Sequence, residues 1–436
     1  MMFRRINQDF EDAQKLLDRY QRWDDATTAD IQLRALAGVW QDCTTDIPYY
    51  KSLVQSGSAP SIIRSWDDFR QIPELNREIL QNRPDEFRRL SGPPDLIRMT
   101  GGSTGNPIRF GVGYEEDRTI RLLKLTLWIR AGYKPKDRLF LIWGHPHLLG
   151  TGYRRHVRQL QRKLKDRWLG YRRVDAFVLD ADRCRQYANQ LLRHRPAGLI
   201  GYAAALDLFV RSNPELAARF CELGLRFVMP CAEPPPKPDT FDLFRSTFGC
   251  PVVQEFGGVD FGHVASQYDR EPFMVFPDKN ILELDKAPAN EEGAGVLVTT
   301  LYRRYLPLIR YRQGDAISGH VLDQHGHVRS FNKLAGRSND MVVMPDGRSI
   351  HSVAFFHCVH PESEVLNVQM ILEDSGLRLV FVTQQDSLTP EVEQRIRHRF
   401  SQLHEQLAQA PIECRKDVET TRAGKRRWIV DKRTAS

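Results

Sequence analysis

Apolar residues recur at helical spacing through the first ninety positions, then give way to short apolar blocks separated by longer amphipathic stretches. FEDAQKLLDRYQRW (10–23) and IQLRALAGVW (31–40) place their apolar side chains on one face of a 3.6-residue period and predict helices. Pro48-Tyr49-Tyr50 interrupts them. From Leu139 the pattern changes to LFLIW, AGLIGYAAAL, LRFVMP, CPVVQEF and AGVLVTTL, each bounded by glycine, proline or charge. Between the first two blocks lies DADRCRQYANQLLRHR, which reads as a helix. Such alternation predicts an α/β fold whose sheets are covered on both faces.

A second change falls near LAGRSND (334–340). Beyond it, MVVMPDGRSI reads as a hairpin around Pro345-Asp346-Gly347. Strand, turn and strand follow in EVLNVQMILEDSGLRLVFVT, then a helix in PEVEQRIRHRFSQLHEQLAQ. The organisation expected is a large core over residues 1–335 and a small α+β domain over 336–436.

Composition narrows this picture only slightly. The 436 residues exceed one ordinary hydrophobic core, and 41% hydrophobic with 27% charged residues is normal for a globular chain. There is no apolar signal core at the start and no run long enough to span a membrane, so a cytoplasmic location is expected. Seven dispersed cysteines without a C-x-x-C pair argue against a disulfide framework and a closed zinc site. The net charge of +8 favours anionic ligands in general.

Much of that charge is local. The segment 154–173, RRHVRQLQRKLKDRWLGYRR, holds nine Lys/Arg and one Asp. Val157, Leu160, Leu164 and Trp168 recur at helical spacing within it, so a basic helix with one apolar stripe is expected. Its plainest role is the solvated face of a core helix. An acidic partner is the alternative: coenzyme A phosphates, a carrier protein or a membrane surface. Nucleic acid is set aside as a partner, because no nucleic-acid-binding motif accompanies the charge.

The stretch TGGSTGNP (100–107) carries the sharpest chemistry. Glycines let a backbone turn its N–H groups toward an anion, and Thr100, Ser103 and Thr104 add hydroxyl donors. The Gly-Lys-Ser/Thr ending of a Walker loop is missing. Taken alone, a flexible Gly/Ser turn explains the same residues.

Its companions are AEP (232–234), QEFGGVDFG (254–262), LPLIRYRQGD (306–315), LAGRSND and TTRAGKRRWIV (420–430). In this order the series resembles the adenylate-forming (AMP-forming) ligases, most closely the branch of phenylacetate–CoA ligases and CapK-like proteins. IPYYKSLVQSG, IPELNREIL and GLIGYAAALDLFV are similar to segments of that branch, so the likeness runs over essentially the whole chain. It implies a large multi-subdomain core with parallel and mixed sheets, and a mobile C-terminal domain. It also implies ATP- and Mg²⁺-dependent conversion of a carboxylic acid, aromatic or otherwise small, to an acyl-adenylate, then transfer to coenzyme A.

The resemblance assigns Thr100, Gly101, Gly102, Ser103, Thr104 and Gly105 to the ATP phosphates. Ala232, Glu233, Pro234, Phe256 and Gly257 fall to the adenine, Asp315 to the ribose hydroxyls, and Arg337 to the sugar or phosphate. Asp260 falls where the Mg²⁺ ligand is expected, with Glu255 as a rival. Asn339 marks the hinge. His145, His147, Tyr202 and Gly258 fall at the acid pocket. Lys425 would be the catalytic cation, stabilising negative charge as it develops; as an isolated residue it reads as one more solvated lysine in a basic tail.

The chain departs from the family pattern at Phe256, where a tyrosine is usual, at Asn106, where many relatives carry Lys or Thr, and at three further positions. Val259 replaces a hydroxyl residue, Asp260 a glutamate, and Asn339 an aspartate. A catalytically degenerate fold serving as a scaffold therefore stands beside the enzyme reading. So does transfer to an amine, hydroxyl or carrier-protein thiol in place of coenzyme A. Homodimerisation is left open.

Overall fold

The computed structural model describes all residues except 1, 23, 100–108, 144–151, 175, 177–180, 232–233, 287–292, 338–340, 345–348, 352–354, 356–357, 360–361, 363, 384, 420–428 and 434–436. The chain forms two compact units. One comprises Met1–Pro135 with Val253–Ser338, the other Lys136–Val252 with Asn339–Ser436.

The first unit opens with helices Met2–Tyr20, Asp25–Asp46 and Pro48–Gln55. Pro48 stands in the first turn of its helix, where a missing N–H costs nothing, so the interruption read from sequence is a helix start. Two five-stranded sheets follow. The first contains Leu75–Asn76, Tyr311–Ser318, Ala294–Thr300 and Asn280–Leu284 in that order, with Lys333–Arg337 added beside Tyr311–Ser318. The second is antiparallel and ends in the hairpin of Val253–Gly258 and Gly262–Tyr268. One apolar core joins Trp40, Tyr50, Phe69, Leu308, Ile309 and Tyr311.

The N-terminal sequence segments converge on the stretch 307–312 of this unit. Tyr50 donates its hydroxyl hydrogen to the Pro307 carbonyl at 2.6 Å. Leu75 and Asn76 pair in parallel with Tyr311 and Arg312. The buried LPLI segment is not itself a strand: Pro307 lacks a donor and Arg310 adopts φ +51°, so extended pairing starts at Tyr311. Arg310 is held there by the carbonyls of Arg70 (3.0 Å) and Ile72 (2.7 Å) and by the Glu283 carboxylate (3.2 Å).

The second unit contains a parallel sheet ordered Tyr171–Val174, Leu139–Ile142, Gly198–Tyr202, Phe227–Cys231. Near-continuous apolar runs form strands buried on both faces. Helices Ala181–His194, Ala203–Arg211 and Thr240–Phe248 contribute the apolar residues that pack with them. The C-terminal part of this unit has a hairpin, Met341–Val343 against Ser349–His351. Its four-stranded sheet is ordered Ile412–Cys414, Gly376–Thr383, Val365–Glu373, Ile429–Asp431. Helix Pro390–Leu403 supplies Val392, Ile396 and Phe400 to that core. Within the same unit the buried Lys237 ammonium donates to the Val365 carbonyl at 3.0 Å.

Candidate nucleotide and acid site

FGGVDFG forms the tip of an antiparallel hairpin. Gly257 lies opposite His263 and Gly258 opposite Gly262, with Val259, Asp260 and Phe261 making the turn. Glycine is required here by crowding. A Cβ on Gly257 would stand 2.3 Å from the Gly262 carbonyl oxygen, and Gly262 itself has φ +78°. Phe256 is only 3% exposed, its ring packed against those of Phe261 and Phe331. Val259 projects outward at the turn.

Asp260 is buried and held from two sides. The Tyr311 hydroxyl lies 3.1 Å from its Oδ2, and Arg303 Nη2 donates to its backbone carbonyl at 2.6 Å. The Arg303 guanidinium also lies over the Phe110 ring, 5.3 Å from its centre. Phe110 belongs to strand Arg109–Val112, which pairs antiparallel with Leu96–Met99, Met99 opposite Arg109. Those two strands flank TGGSTGNP on either side. Arg303 therefore ties strand Arg109–Val112 to the Asp260 turn, and Tyr311 ties that turn to the strand of Asp315. Among the described residues, Nε and Nη1 of the buried Arg303 have no hydrogen-bond partner. A buried guanidinium with two unused donors is a costly arrangement unless an anion meets it.

Asp315 and Arg337 face one another across the antiparallel ladder of Tyr311–Ser318 and Lys333–Arg337. The ladder on the other side of Asp315 is irregular: Arg312 pairs with Leu297 and Ala316 with Gly295, so Gln313–Asp315 bulge out of register. Gly314, at φ +91°, makes that bulge, and the Asp315 N–H is satisfied by Gln313 Oε1 at 2.8 Å. Bulges of this kind re-aim side chains at sheet rims.

Glu255, the rival metal ligand, is engaged elsewhere. Lys124 Nζ lies 3.0 Å from one oxygen and His263 Nδ1 3.5 Å from the other. Burial opposes its charge, but the Lys124 and His263 charges prevail and hold its pKa below the usual glutamate value. Burial, reinforced by Lys124, pushes His263 down to about 4 against the pull of Glu255, so the imidazole is neutral near pH 7. Among the described residues no group of three His, Cys, Asp or Glu could hold a metal on its own. Asp260 offers a single carboxylate; Mg²⁺ bound together with phosphates commonly uses one or two, with phosphates and waters completing its shell.

In the second unit, Tyr202 ends its strand and begins helix Ala203–Arg211. Its ring stacks on Trp143, 4.4 Å between centres and 8° between planes. Trp143 follows the adjacent strand directly, and its N–H donates to the Val174 carbonyl at 3.0 Å. Cys231, just before AEP, pairs with Tyr202 across the sheet. These residues line the carboxyl ends of parallel strands, where open α/β sheets bind ligands. Pro234 is exposed there.

Phe256, Gly257, Gly258, Asp260, Asp315 and Arg337 thus belong to the first unit, Tyr202 and Pro234 to the second. Thr100, Gly101, Gly102, Ser103, Thr104, Gly105, His145, His147, Ala232, Glu233, Asn339 and Lys425 lie outside the described residues. Sequence reasoning passed over Arg303, Tyr311 and Trp143. Tyr311 lies inside a motif already singled out, whereas Arg303 offers no pattern of its own.

No protein-family model matches the chain, and no curated protein does. Solved structures do. One of 2-hydroxyisobutyryl-CoA ligase, in the postadenylation state in complex with R3-HIB-AMP, is similar with a TM-score of 0.66 at 16% identity, covering 92% of this chain and 88% of that one. Another of the same ligase, with 2-HIB-AMP and CoA in the thioesterification state, gives 0.58 at 18% identity over 94% and 91% of the two chains. Its open conformation with the same two ligands gives 0.54 at 17% identity over 92% and 90%. The chain shares its fold with these ligase structures.

Proposed function

We propose that this chain is an AMP-forming acid ligase that adenylates a small carboxylic acid and passes the acyl group to coenzyme A. In the first step a carboxylate oxygen bonds to the α-phosphorus of ATP, and pyrophosphate leaves with the electrons of the broken P–O bond. In the second, the coenzyme A sulfur bonds to the acyl carbon, AMP leaves, and the thiol proton passes to solvent. The order of motifs supports this reading, as does the fold. So does the likeness to a ligase whose structures carry an acyl-AMP and CoA.

The observation that carries the proposal is the bridge through Arg303 and Tyr311. It brings the flank of the glycine-rich stretch, the Asp260 turn and the Asp315 strand into one place, as a shared triphosphate requires. Thr100–Gly105 would receive the β- and γ-phosphates, and the unused Arg303 donors an anionic oxygen of the same group. Asp315 would accept from the ribose diol, beside Arg337. Gly257 would border the adenine through backbone, with the buried Phe256 ring beneath, and Gly258 would border the acid pocket. Asp260 would hold Mg²⁺, which when bound neutralises phosphate charge. Tyr202 and Trp143 would shape the acid pocket with His145 and His147. Lys425 would be delivered by the region 336–436, turning about Asn339.

The test is acid-dependent exchange of labelled pyrophosphate into ATP across a panel of aromatic and short hydroxy or branched acids. Exchange with at least one acid, followed by thioester formation with coenzyme A, is expected. Its absence across the panel would leave the scaffold reading in possession of the fold.

A further inference from the structure

The basic helix Gly152–Trp168 is mounted the wrong way round for a core helix. Its apolar stripe was expected to face a core, yet Leu160 and Leu164 are 59% and 60% exposed, and Val157 and Trp168 are 37% and 36% exposed. The partly buried residues in its later turns are Arg162 and Asp166, on the opposite face, followed by Leu169 just past the helix end. Arg173, from the edge strand Tyr171–Val174, pairs with Asp166 at 3.0 Å and secures that inward side. Among the described residues, the inward side is held by the Arg173–Asp166 pair, while Leu160 and Leu164 turn outward.

The row runs from Val157 to Trp168, about 16 Å at ~1.5 Å per residue. Exposed Lys163 and Arg167 flank it along one edge and Lys165 along the other. The segment's one acidic residue, Asp166, is the one already neutralised by Arg173. A convex apolar row ending in tryptophan and edged by cations is the composition of a helix lying in a membrane interface. A second copy of the same row fits poorly, because packing it on itself would bring cation against cation. The complementary occupant is flat, apolar beneath and negatively charged at its surface.

We propose that the helix Gly152–Trp168 docks the protein on anionic lipid surfaces, with Leu160 and Leu164 entering the acyl boundary and Lys163, Lys165 and Arg167 meeting headgroup phosphates. The contact is peripheral and reversible. It is independent of the ligase reading.

Co-sedimentation of the full chain with phosphatidylcholine vesicles, and with vesicles containing about a third phosphatidylglycerol, tests the proposal. Binding is expected to the anionic vesicles only, weakening as salt rises. Leu160→Glu/Leu164→Glu should lower partitioning by at least ~10-fold. Each of Lys163→Glu and Lys165→Glu should lower it by at least ~5-fold, about the weight of one cation near such a surface. Trp168 should shift its emission to the blue on binding, read as the difference from a Trp168→Phe variant. Because these side chains are exposed, melting temperatures should stay at the wild-type value, which separates lost docking from lost folding. Absence of binding to anionic vesicles, or equal binding by Leu160→Glu/Leu164→Glu, would overturn the proposal. So would a wild-type dimer, in the absence of lipid, that the same double variant turns into monomer, since the row would then belong to a second copy.

Discussion

Lys124 holds its ammonium 3.0 Å from the Glu255 carboxylate, one residue before the hairpin tip that carries Phe256, Gly257 and Asp260. The pair joins helix Tyr114–Arg130 to strand Val253–Gly258 and leaves Glu255 occupied. This contact bears on which carboxylate is available to a metal. Lys124→Met should strand a largely buried charge and cost ~1–3 kcal/mol, reduced from the value for a fully buried pair because Lys124 is itself partly exposed. Urea unfolding at pH 7 reads the effect, and adding Glu255→Gln should recover most of it. An unchanged midpoint in Lys124→Met would show that the pair contributes nothing.

The neighbouring His263 gives the fold a defined acid sensitivity. Its pKa is near 6.5 when unfolded and about 4 when folded. Between those values the unfolded chain binds the extra proton, so stability falls as pH falls from 6.5 toward 4. The loss totals ~3 kcal/mol at no more than ~1.4 kcal/mol per pH unit. Glu255, held below its usual 4.5, contributes stability that starts to be lost as pH falls below 4.5. His263→Asn should therefore flatten the dependence between pH 6.5 and 4.5 while leaving the loss at lower pH. Urea midpoints at pH 7, 5.5 and 4.5 distinguish the two, and parallel profiles for wild type and variant would rule out His263 as the source.

Much of this architecture was legible because local chemistry and tertiary role agree. LFLIW, LRFVMP and AGVLVTTL are strands because continuous apolar runs suit strands buried on both faces, and DADRCRQYANQLLRHR is a helix because its period is helical. The helix Gly152–Trp168 shows where pattern reading fails. Periodicity reveals that a stripe exists, but its direction is set by the Arg173–Asp166 pair on the opposite face. Arg303 was illegible for a related reason: its neighbours, Phe110 and Asp260, are distant in sequence, and no spacing rule encodes them. Asp315 and Arg337 were each singled out as nucleotide residues, whereas their facing register became visible only once strands Tyr311–Ser318 and Lys333–Arg337 were paired.

Tyr311 makes a prediction separable from general stability. Its hydroxyl is 3.1 Å from Asp260 Oδ2 and fixes the carboxylate assigned to Mg²⁺. Tyr311→Phe keeps the ring in the core and removes the hydroxyl that donates to Asp260, leaving a buried oxygen short of a donor at ~1–3 kcal/mol. If Asp260 holds the ion, the apparent Mg²⁺ requirement of pyrophosphate exchange should also rise by ~10-fold or more, the usual scale for losing an outer-shell partner. Lower stability with an unchanged Mg²⁺ dependence would confine Tyr311 to packing and remove Asp260 from the metal assignment.

Asp315 and Lys425 should fail in different ways, because they are assigned to different stages of one reaction. Asp315 stands on a bulge whose geometry Gly314 sets at φ +91°, opposite Arg337; its proposed role is to bind ribose in ground and transition states alike. Asp315→Ala should therefore raise the KM for ATP with a smaller effect on kcat, the mark of uniform binding lost. Lys425 is assigned to the charge that appears only as the acyl–phosphate bond forms. Lys425→Ala should leave ATP affinity near wild type and lower the adenylation rate by at least ~10²-fold, the scale of one lost transition-state donor. Calorimetric ATP binding and pyrophosphate exchange, measured on both variants, separate these outcomes. Wild-type ATP affinity in Asp315→Ala would refute the ribose assignment, and wild-type exchange in Lys425→Ala would take the catalytic role away from the C-terminal region.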